Sequence, residues 1–415
     1  MQTNRRQFFG AALAGAGATA LSVQNTQGQT ISTADTPLTA DDLIDSPPLL
    51  QCPGETGITV VWAVKKFVYG YVQYGTAQDA LDQTGYGAVY GQSPFSDQFL
   101  QIRISGLKPN TRYYYRTASV PMRVNGAAEF ERQGSPVFSE VYSFETAGSG
   151  KSSGSFAAIN DVHENRVSIR KEIKRIDELA PDYTVFNGDI VNHYDYQRQI
   201  VEKILLPSNP AFAAQRPLLY VPGNHEQRGW WNQNAVKIFP AWDRNEPADI
   251  SRGRNFVLRC GPLAMLALDS GEDKEDGHKQ YAGLAHYAQY RQEQSAWLAA
   301  ALESPQVKTA PFVAAFLHCP FNVKRPFETD DEHDGAWGKL LHQYGVQLVV
   351  CGHWHRFNYE AATAERSWAQ VVGGGNGPKS ANTVIYGKAQ GDVLEVAVAE
   401  LNKNEELGRW KFAKR

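Results

Sequence analysis

Tyr220-Val-Pro-Gly-Asn-His-Glu226 decides how this chain is read: an apolar run, Leu218 to Val221, stops at a Pro-Gly turn and passes straight into Asn224, His225 and Glu226. Four other segments repeat the design. Phe156 to Ile159 leads into Asp161 and His163, and Tyr183 to Phe186 leads into Gly188 and Asp189. Phe312 to Leu317 leads into His318, and Gly345 to Cys351 leads into Gly352, His353, Trp354 and His355. Short apolar runs separated by longer amphipathic stretches predict an α/β architecture, in which ligands gather outside the carboxyl ends of the strands. Five strand ends are therefore expected to share one site.

A chain of 415 residues is long for one core and predicts two domains behind a leader. With 42% hydrophobic residues, 20% charged residues and a net charge of −3, it has the balance of a globular protein and lacks the basic excess of an electrostatic nucleic-acid binder. Cys52, Cys260, Cys319 and Cys351 show no CxxC spacing, which argues against a zinc knuckle or a redox pair and for small buried side chains. Their disulfide state is left open by the sequence.

Residues 1–30 read as an export leader: Asn4-Arg-Arg-Gln-Phe-Phe9 precedes an uncharged Ala/Gly-rich run from Gly10 to Leu21. The Arg5-Arg6 pair resembles a twin-arginine signal, which implies the twin-arginine export machinery as a partner and a periplasmic or secreted destination. A Sec signal with a chance Arg-Arg is the alternative. No later stretch is long and apolar enough for a membrane-spanning helix. Residues 31–46 read as linker. Residues 47–148 read as a small all-β sandwich, with strands over Ile58 to Val64, Tyr69 to Tyr74, Leu100 to Ile104, Tyr113 to Thr117 and Val141 to Glu145. Residues 149–154 have linker composition, and residues 155–415 form the α/β part. Helices are predicted there over Ser168 to Ala180, Tyr196 to Leu206, Tyr287 to Leu302 and Trp337 to Tyr344. The run of strands near Gln370 to Ala399 predicts a second sheet.

Two cations held side by side need nitrogen and oxygen ligands, a carboxylate able to bridge them, and positions left open for water and substrate. The i, i+2 pairs Asp161/His163 and His353/His355 suit this, because alternate residues on extended backbone point to one side. In chain order the motifs read D-x-H, G-D, G-N-H-E, H, G-H-x-H, and this set resembles the calcineurin-like metallophosphoesterases. The resemblance implies a four-layer α/β/β/α sandwich. It implies one metal on Asp161, His163 and His355, a second on Asn224, His318 and His353, and Asp189 bridging them. It implies that His225 stabilises developing charge or protonates the leaving oxygen, with Glu226 in support. Asn192, His193 and Arg228 follow as candidate substrate residues. The implied reaction is attack of a metal-bound hydroxide on a small phosphate ester, with two ions drawn from iron, manganese and zinc. His278, His286, His333 and His342 read as surface or core histidines.

The stretch Gly106-Leu-Lys-Pro-Asn-Thr-Arg-Tyr113 resembles a fibronectin type III corner, and with Val72-Gln-Tyr-Gly75 it resembles the amino-terminal domain of purple acid phosphatases. The catalytic motifs depart from those enzymes at Asn192, where they carry tyrosine, and at His163, which they lack. In those two places the chain resembles class III cyclic-nucleotide and glycerophosphodiester phosphodiesterases. Hydrolysis of monoesters is the leading expectation, with the diester type as the alternative. A non-catalytic metal-containing binding protein is the reading from another class, and the complete ligand set with His225 argues against it.

Overall fold

The computed structural model describes residues 38–126, 129–209, 211–242, 250–321, 332–377 and 381–415. The expected leader, with Arg5 and Arg6, lies outside them.

Two six-stranded sheets make up the larger part. The first runs in the order Leu218–Val221, Tyr183–Asn187, Ser153–Ile159, Thr383–Gln390, Val393–Glu400, Glu405–Ala413. Its first three strands are parallel and the rest antiparallel. The second runs Phe256–Cys260, Leu263–Ala267, Phe312–Phe316, Leu348–Cys351, Ala369–Val372, Asn358–Glu360, with the four middle strands parallel.

Alternation along each strand assigns its side chains to layers. Phe156 and Ala158 point between the sheets, where Val185 and Leu219 meet Met265, Phe316 and Val350. The rings of Phe156 and Phe316 pack edge to face with centroids 4.9 Å apart. Ala157 and Ile159 point the other way, onto the helix Arg166–Leu179. Val313, Ala315 and Val349 of the second sheet cover Leu298 and Leu302 of the helix Tyr287–Glu303 and, further on, Trp337 and Leu341. The result is a four-layer α/β/β/α sandwich. Because both faces of the parallel strands are covered, those strands read as unbroken apolar runs.

The helix Arg166–Leu179 shows how sequence sets such an element. Asn165 caps it by accepting from the backbone N–H of Val167 at 3.0 Å and of Ser168 at 3.1 Å. Ile169, Ile173 and Ile176 fall on one face at helical spacing and are buried, each contributing about 1.5–3 kcal/mol. Ala180 ends it in the left-handed region at φ 44°.

Two expectations need correction, and one hairpin lies outside them. The carboxyl-terminal strands do not build the second sheet by themselves: Thr383–Gln390 adds antiparallel to Ser153–Ile159 and extends the first, while Ala369–Val372 joins the second. The helix expected over Tyr196 to Leu206 is a single wide turn, Val201–Leu205. The hairpin Phe256–Cys260 with Leu263–Ala267 was not foreseen as an element.

The amino-terminal part is a β-sandwich. A sheet of Leu49–Gln51, Gly57–Ala63 and Phe99–Ser105 packs on a sheet built around Val68–Gly75 and Arg112–Asn125. Trp62, Val72, Ile102 and Tyr115 fill its core, and Trp62 Nε1 donates to Ser119 Oγ at 3.0 Å. In the turn before Arg112, Lys108 N donates to Tyr113 Oη at 3.0 Å. Residues 38–46, within the stretch read as linker, include the short helix Ala40–Leu43, whose Leu43 is buried in this core. Leu49, Val61, Ala63 and Phe99 on the opposite face share a core with Trp231, Ile238 and Phe239 of the larger part. Tyr115 Oη donates to Ala214 O at 2.7 Å across the same junction. All four cysteines are buried and free of disulfides.

Candidate metal centre

The parallel strands ending at Ile159, Asn187 and Val221 lie side by side in one sheet, and those ending at Phe316 and Cys351 lie side by side in the other. The loops leaving these five ends are stitched together by backbone bonds. Asp161 N donates to Gly188 O at 3.1 Å, His163 N to Asp189 O at 2.9 Å, and Gly352 N to His318 O at 2.9 Å. His353 N reaches both carboxylate oxygens of Asp161 at 3.0 Å. Asp161, His163, Asp189, His353 and His355 all sit in the left-handed backbone region, with φ of 53°, 47°, 54°, 73° and 53°. Non-glycine residues held there cost on the order of 1 kcal/mol or more each, and such strain concentrates where geometry serves chemistry.

These side chains fall into two groups of potential ligands that share one member. Asp161, His163, Asp189 and His355 form one, and Asp189, His318 and His353 the other, with ligand atoms within 4.8 Å of one another in each. Nδ1 of His353 lies 3.0 Å from Asn224 Oδ1, which brings Asn224 to the second group.

The donor chemistry fits cations. Nε2 of His163 and Nε2 of His355 face each other at 3.0 Å. Nδ1 of His318 donates to Asn187 O at 2.9 Å, which leaves its Nε2 as the atom open to a cation or a proton. That Nε2 is fully buried and 3.1 Å from Asp189 Oδ2, yet out of alignment for a hydrogen bond. An imidazole nitrogen and a carboxylate aimed at one point call for positive charge there, a proton on the ring in the metal-free protein or a cation in its place.

The electrostatics agree. Burial, reinforced by His318, pushes His353 down to about 3, and burial with His225 and His355 pushes His163 down to about 4 against the pull of Asp189. Both imidazoles are thus held in the neutral form that ligates metals. Burial opposes ionisation of Asp189, but His318, His225 and His163 together outweigh it and hold the carboxyl below its ordinary range. Burial also opposes a charge on His318, but Asp189 and Asp161 push it up to about 10.

His225 stands at the edge of this cluster. Its backbone N–H donates to Asp189 Oδ1 at 2.9 Å, and its Nδ1 donates to the Asn192 carbonyl at 2.6 Å. Nη1 of Arg228 lies 3.0 Å from its Nε2. Asn192 therefore acts here through its carbonyl, while its side chain donates to His163 O at 3.3 Å. Arg228 is itself clamped by Glu272, at 2.9 Å and 2.7 Å, and by Asp273 at 3.1 Å. His193 turns to Asp195, 2.7 Å away, with its side chain half exposed.

Glu226 is fully buried and does not present its carboxylate to the open side of the cluster. It accepts four backbone N–H groups, from Gly223 at 2.8 Å, Asp189 at 2.7 Å, Ile190 at 2.8 Å and Val191 at 3.2 Å. It is thus a clasp between the loops carrying Asp189 and Asn224. Burial, with the Asp189 carboxylate next, pushes it up to about 7.

Two participants escaped sequence reasoning. Asn187 holds the strand ends together, donating to Asn160 Oδ1 at 2.8 Å and to Val350 O at 3.1 Å. Gly374 lies against Asp161: at φ 94°, a Cβ there would meet Asp161 Oδ2 at 2.0 Å. The run Gly373-Gly-Gly375 was the available signal.

Comparison with known proteins relates both parts of the chain to known families. Residues 154–357 match the family model of the calcineurin-like phosphoesterases, and residues 49–146 match that of the purple acid phosphatase N-terminal domain. A probable purple acid phosphatase of Arabidopsis thaliana is 23% identical over 329 residues, 73% of this chain and 66% of the relative. Another purple acid phosphatase of that plant is 23% identical over 70% of this chain and 60% of its own length. The chain thus spans less than two thirds of the curated relatives' length, narrowly so for the first. Among solved structures, a purple acid phosphatase from yellow lupin (Lupinus luteus) seeds has a TM-score of 0.63 at 14% identity, covering 88% of this chain and 74% of that one. The structure of PhoD has a TM-score of 0.56 at 11% identity, covering 91% of this chain and 90% of that one.

Proposed function

With residues 154–357 belonging to the calcineurin-like phosphoesterases and residues 49–146 to the purple acid phosphatase N-terminal domain, we propose an exported dinuclear-metal hydrolase of phosphate monoesters. The observation that carries this reading is the pair of ligand groups sharing Asp189 at the meeting point of five strand ends. Asp161, His163 and His355 would hold one ion, Asn224, His318 and His353 the other, with Asp189 bridging. Iron, manganese and zinc all suit such nitrogen and oxygen donors.

When bound, such an ion pair supplies an activated water and neutralises charge on the phosphoryl oxygens. The chain's own residues do the rest. The carbonyl of Asn192 fixes the ring of His225 with Nε2 against Arg228 Nη1 and 4.0 Å from Asp189 Oδ2. From there His225 attends the leaving oxygen, and Arg228 transfers its hydrogen bond from His225 to the substrate as the phosphate enters. Glu226 keeps the Asp189 and Asn224 loops in register. Removal of the precursor's leader at export is part of the same reading. The diester alternative is favoured by one observation, the ring of His163 at 3.0 Å from that of His355, because a histidine here matches the diesterase motif.

The test is hydrolysis of p-nitrophenyl phosphate against bis-p-nitrophenyl phosphate by the mature protein, after chelation and with manganese, zinc or iron restored. A metal-dependent preference for the monoester supports the lead, and a preference for the diester replaces it. Turnover of neither by metal-loaded protein overturns the hydrolase reading for these esters.

A further inference from the structure

Between the strand Leu263–Ala267 and the helix Tyr287–Glu303 the chain passes the candidate centre at Asp273, beside His353. The loop that brings it there is fixed from below. The buried guanidinium of Arg291 donates to Ser270 O at 3.1 Å and to Glu272 O at 3.3 Å, and Gly271 N donates to Asp269 Oδ1 at 2.9 Å. Ser270 Oγ accepts from Cys319 N at 3.2 Å, which ties the loop to the residue after His318. Asp273 is therefore presented by a backbone with little freedom to move.

The two oxygens of Asp273 face different groups. Oδ1 accepts from Lys274 Nζ at 2.6 Å and from Arg228 Nη2 at 3.1 Å, which balance its charge. Oδ2 lies 4.0 Å from Nε2 of His353. On the other side of that ring, Nδ1 lies 3.0 Å from Asn224 Oδ1, so Nδ1 is the nitrogen turned toward the second group of ligands. A neutral imidazole that gives its Nδ1 lone pair to a cation carries its proton on Nε2. Ligating histidines hold their rings by donating that remaining N–H to a carboxylate, a carbonyl or water. An approach of about 1 Å brings Nε2 of His353 to hydrogen-bond distance from Asp273 Oδ2. Lys274 and Arg228 occupy the other oxygen, so neither contact stands in the way.

We propose that Asp273 is a positioning residue for the second ion: it accepts the Nε2–H of His353 and so fixes the ring that offers Nδ1 to the metal. This rests on the dinuclear reading of the centre but not on the ester it hydrolyses, so it is tested without substrate. Zinc is titrated into chelated protein against a competing chromophoric chelator. In Asp273→Ala one of the two equivalents should weaken about 10–100-fold, the usual loss for such a partner, and the other should stay within about twofold. Asp273→Asn, which keeps an accepting oxygen, should recover part of the loss. A second readout looks at the ring itself, because a loosened loop would also weaken zinc. In zinc-loaded protein carrying nitrogen-15 histidine, the Nε2–H of His353, identified by its loss in His353→Ala, should exchange slowly and should shift or vanish in Asp273→Ala. Affinity and signal both unchanged in that variant overturn the inference and leave the hydrolase reading standing. Affinity lost with an unchanged signal assigns Asp273 to the loop instead of the ring and overturns it as well. Both changed, with neither nitrophenyl ester hydrolysed by the zinc-loaded protein, keep Asp273 in its role and remove the hydrolase reading. Protein that binds no second equivalent overturns the centre and this role together.

Discussion

Nη1 of Arg228 and Nε2 of His225 lie 3.0 Å apart, and guanidinium nitrogens only donate, so Nε2 must be an acceptor. The 2.6 Å contact of Nδ1 with the Asn192 carbonyl requires the proton to sit on Nδ1. The Arg228 contact occupies Nε2 while the substrate is absent; once Arg228 turns to a phosphate, Nε2 is released to carry a proton toward the leaving oxygen. His225 contributes no ligand to either group of candidate metal residues. Replacement by alanine should lower kcat about 10²–10³-fold, as loss of one charge-stabilising donor does, with the metal content unchanged. Metal analysis beside steady-state kinetics checks this. Loss of metal along with turnover would move His225 into the ligand set.

The other side of Arg228 predicts a stability effect. Its side chain is 18% exposed and meets Glu272, whose side chain is fully buried, in a two-pronged pair. Arg228→Met takes the two-pronged partner from that carboxylate, leaving Lys274 at 3.5 Å as its cation and the Asp273 N–H at 3.0 Å, and should cost about 2–4 kcal/mol in chemical denaturation. Arg228→Met with Glu272→Gln should recover much of the loss, because the buried charge is then gone. An equal loss in the single and double variants would show that packing, not the stranded charge, is at stake.

Removing metal should also be visible without any substrate. Two aspartates and four histidines crowd within the two candidate groups, and cations bound only by the folded state add about 2.7 kcal/mol at a hundredfold excess over Kd. Thermal unfolding after chelation should fall by several degrees and return when manganese or zinc is restored. An unchanged midpoint in protein verified as metal-free would contradict a centre built at these five strand ends.

Most of the candidate site could be read from the sequence because the residues grouped there sit where apolar runs stop. Covered on both faces, Phe156–Ile159 and Phe312–Phe316 have no polar positions, so Asp161 and His318 stand out at their ends. The strand Glu405–Ala413 could not be read this way, since as an edge strand with much of its length in solvent it carries charges at four of its nine positions. Arg228 with Glu272, 44 residues apart, leaves no local pattern either, because pairing across loops imposes no spacing. The same holds for the Glu226 clasp: its sequence position suggested chemistry, but its partners are backbone groups that any residues would supply.

Gly374 offers the sharpest test of how closely the loops must approach. It follows the strand Ala369–Val372 and holds its fold partly through its N–H, which donates to Thr383 Oγ1 at 2.7 Å. Gly374→Ala adds a methyl that would fall 2.0 Å from Asp161 Oδ2 and 2.9 Å from Asn160 Cβ, at a φ of 94° that alanine resists. Thr383 anchors the backbone and the Asn160 contact is to its Cβ, whereas the Asp161 contact is to the end of its side chain, so the give falls on the Asp161 carboxylate, which is held by His353 N and faces His355 at 3.3 Å. Moving that carboxylate by even an ångström takes one ligand from the first group and spares Asp189, His318 and His353. The variant should remain folded, bind about one metal equivalent in place of two, and lose turnover by roughly a hundredfold, the scale of such a misplacement. Stoichiometry by metal analysis decides the matter: two equivalents retained at full affinity would mean that Asp161 is not a ligand or that the loop yields instead.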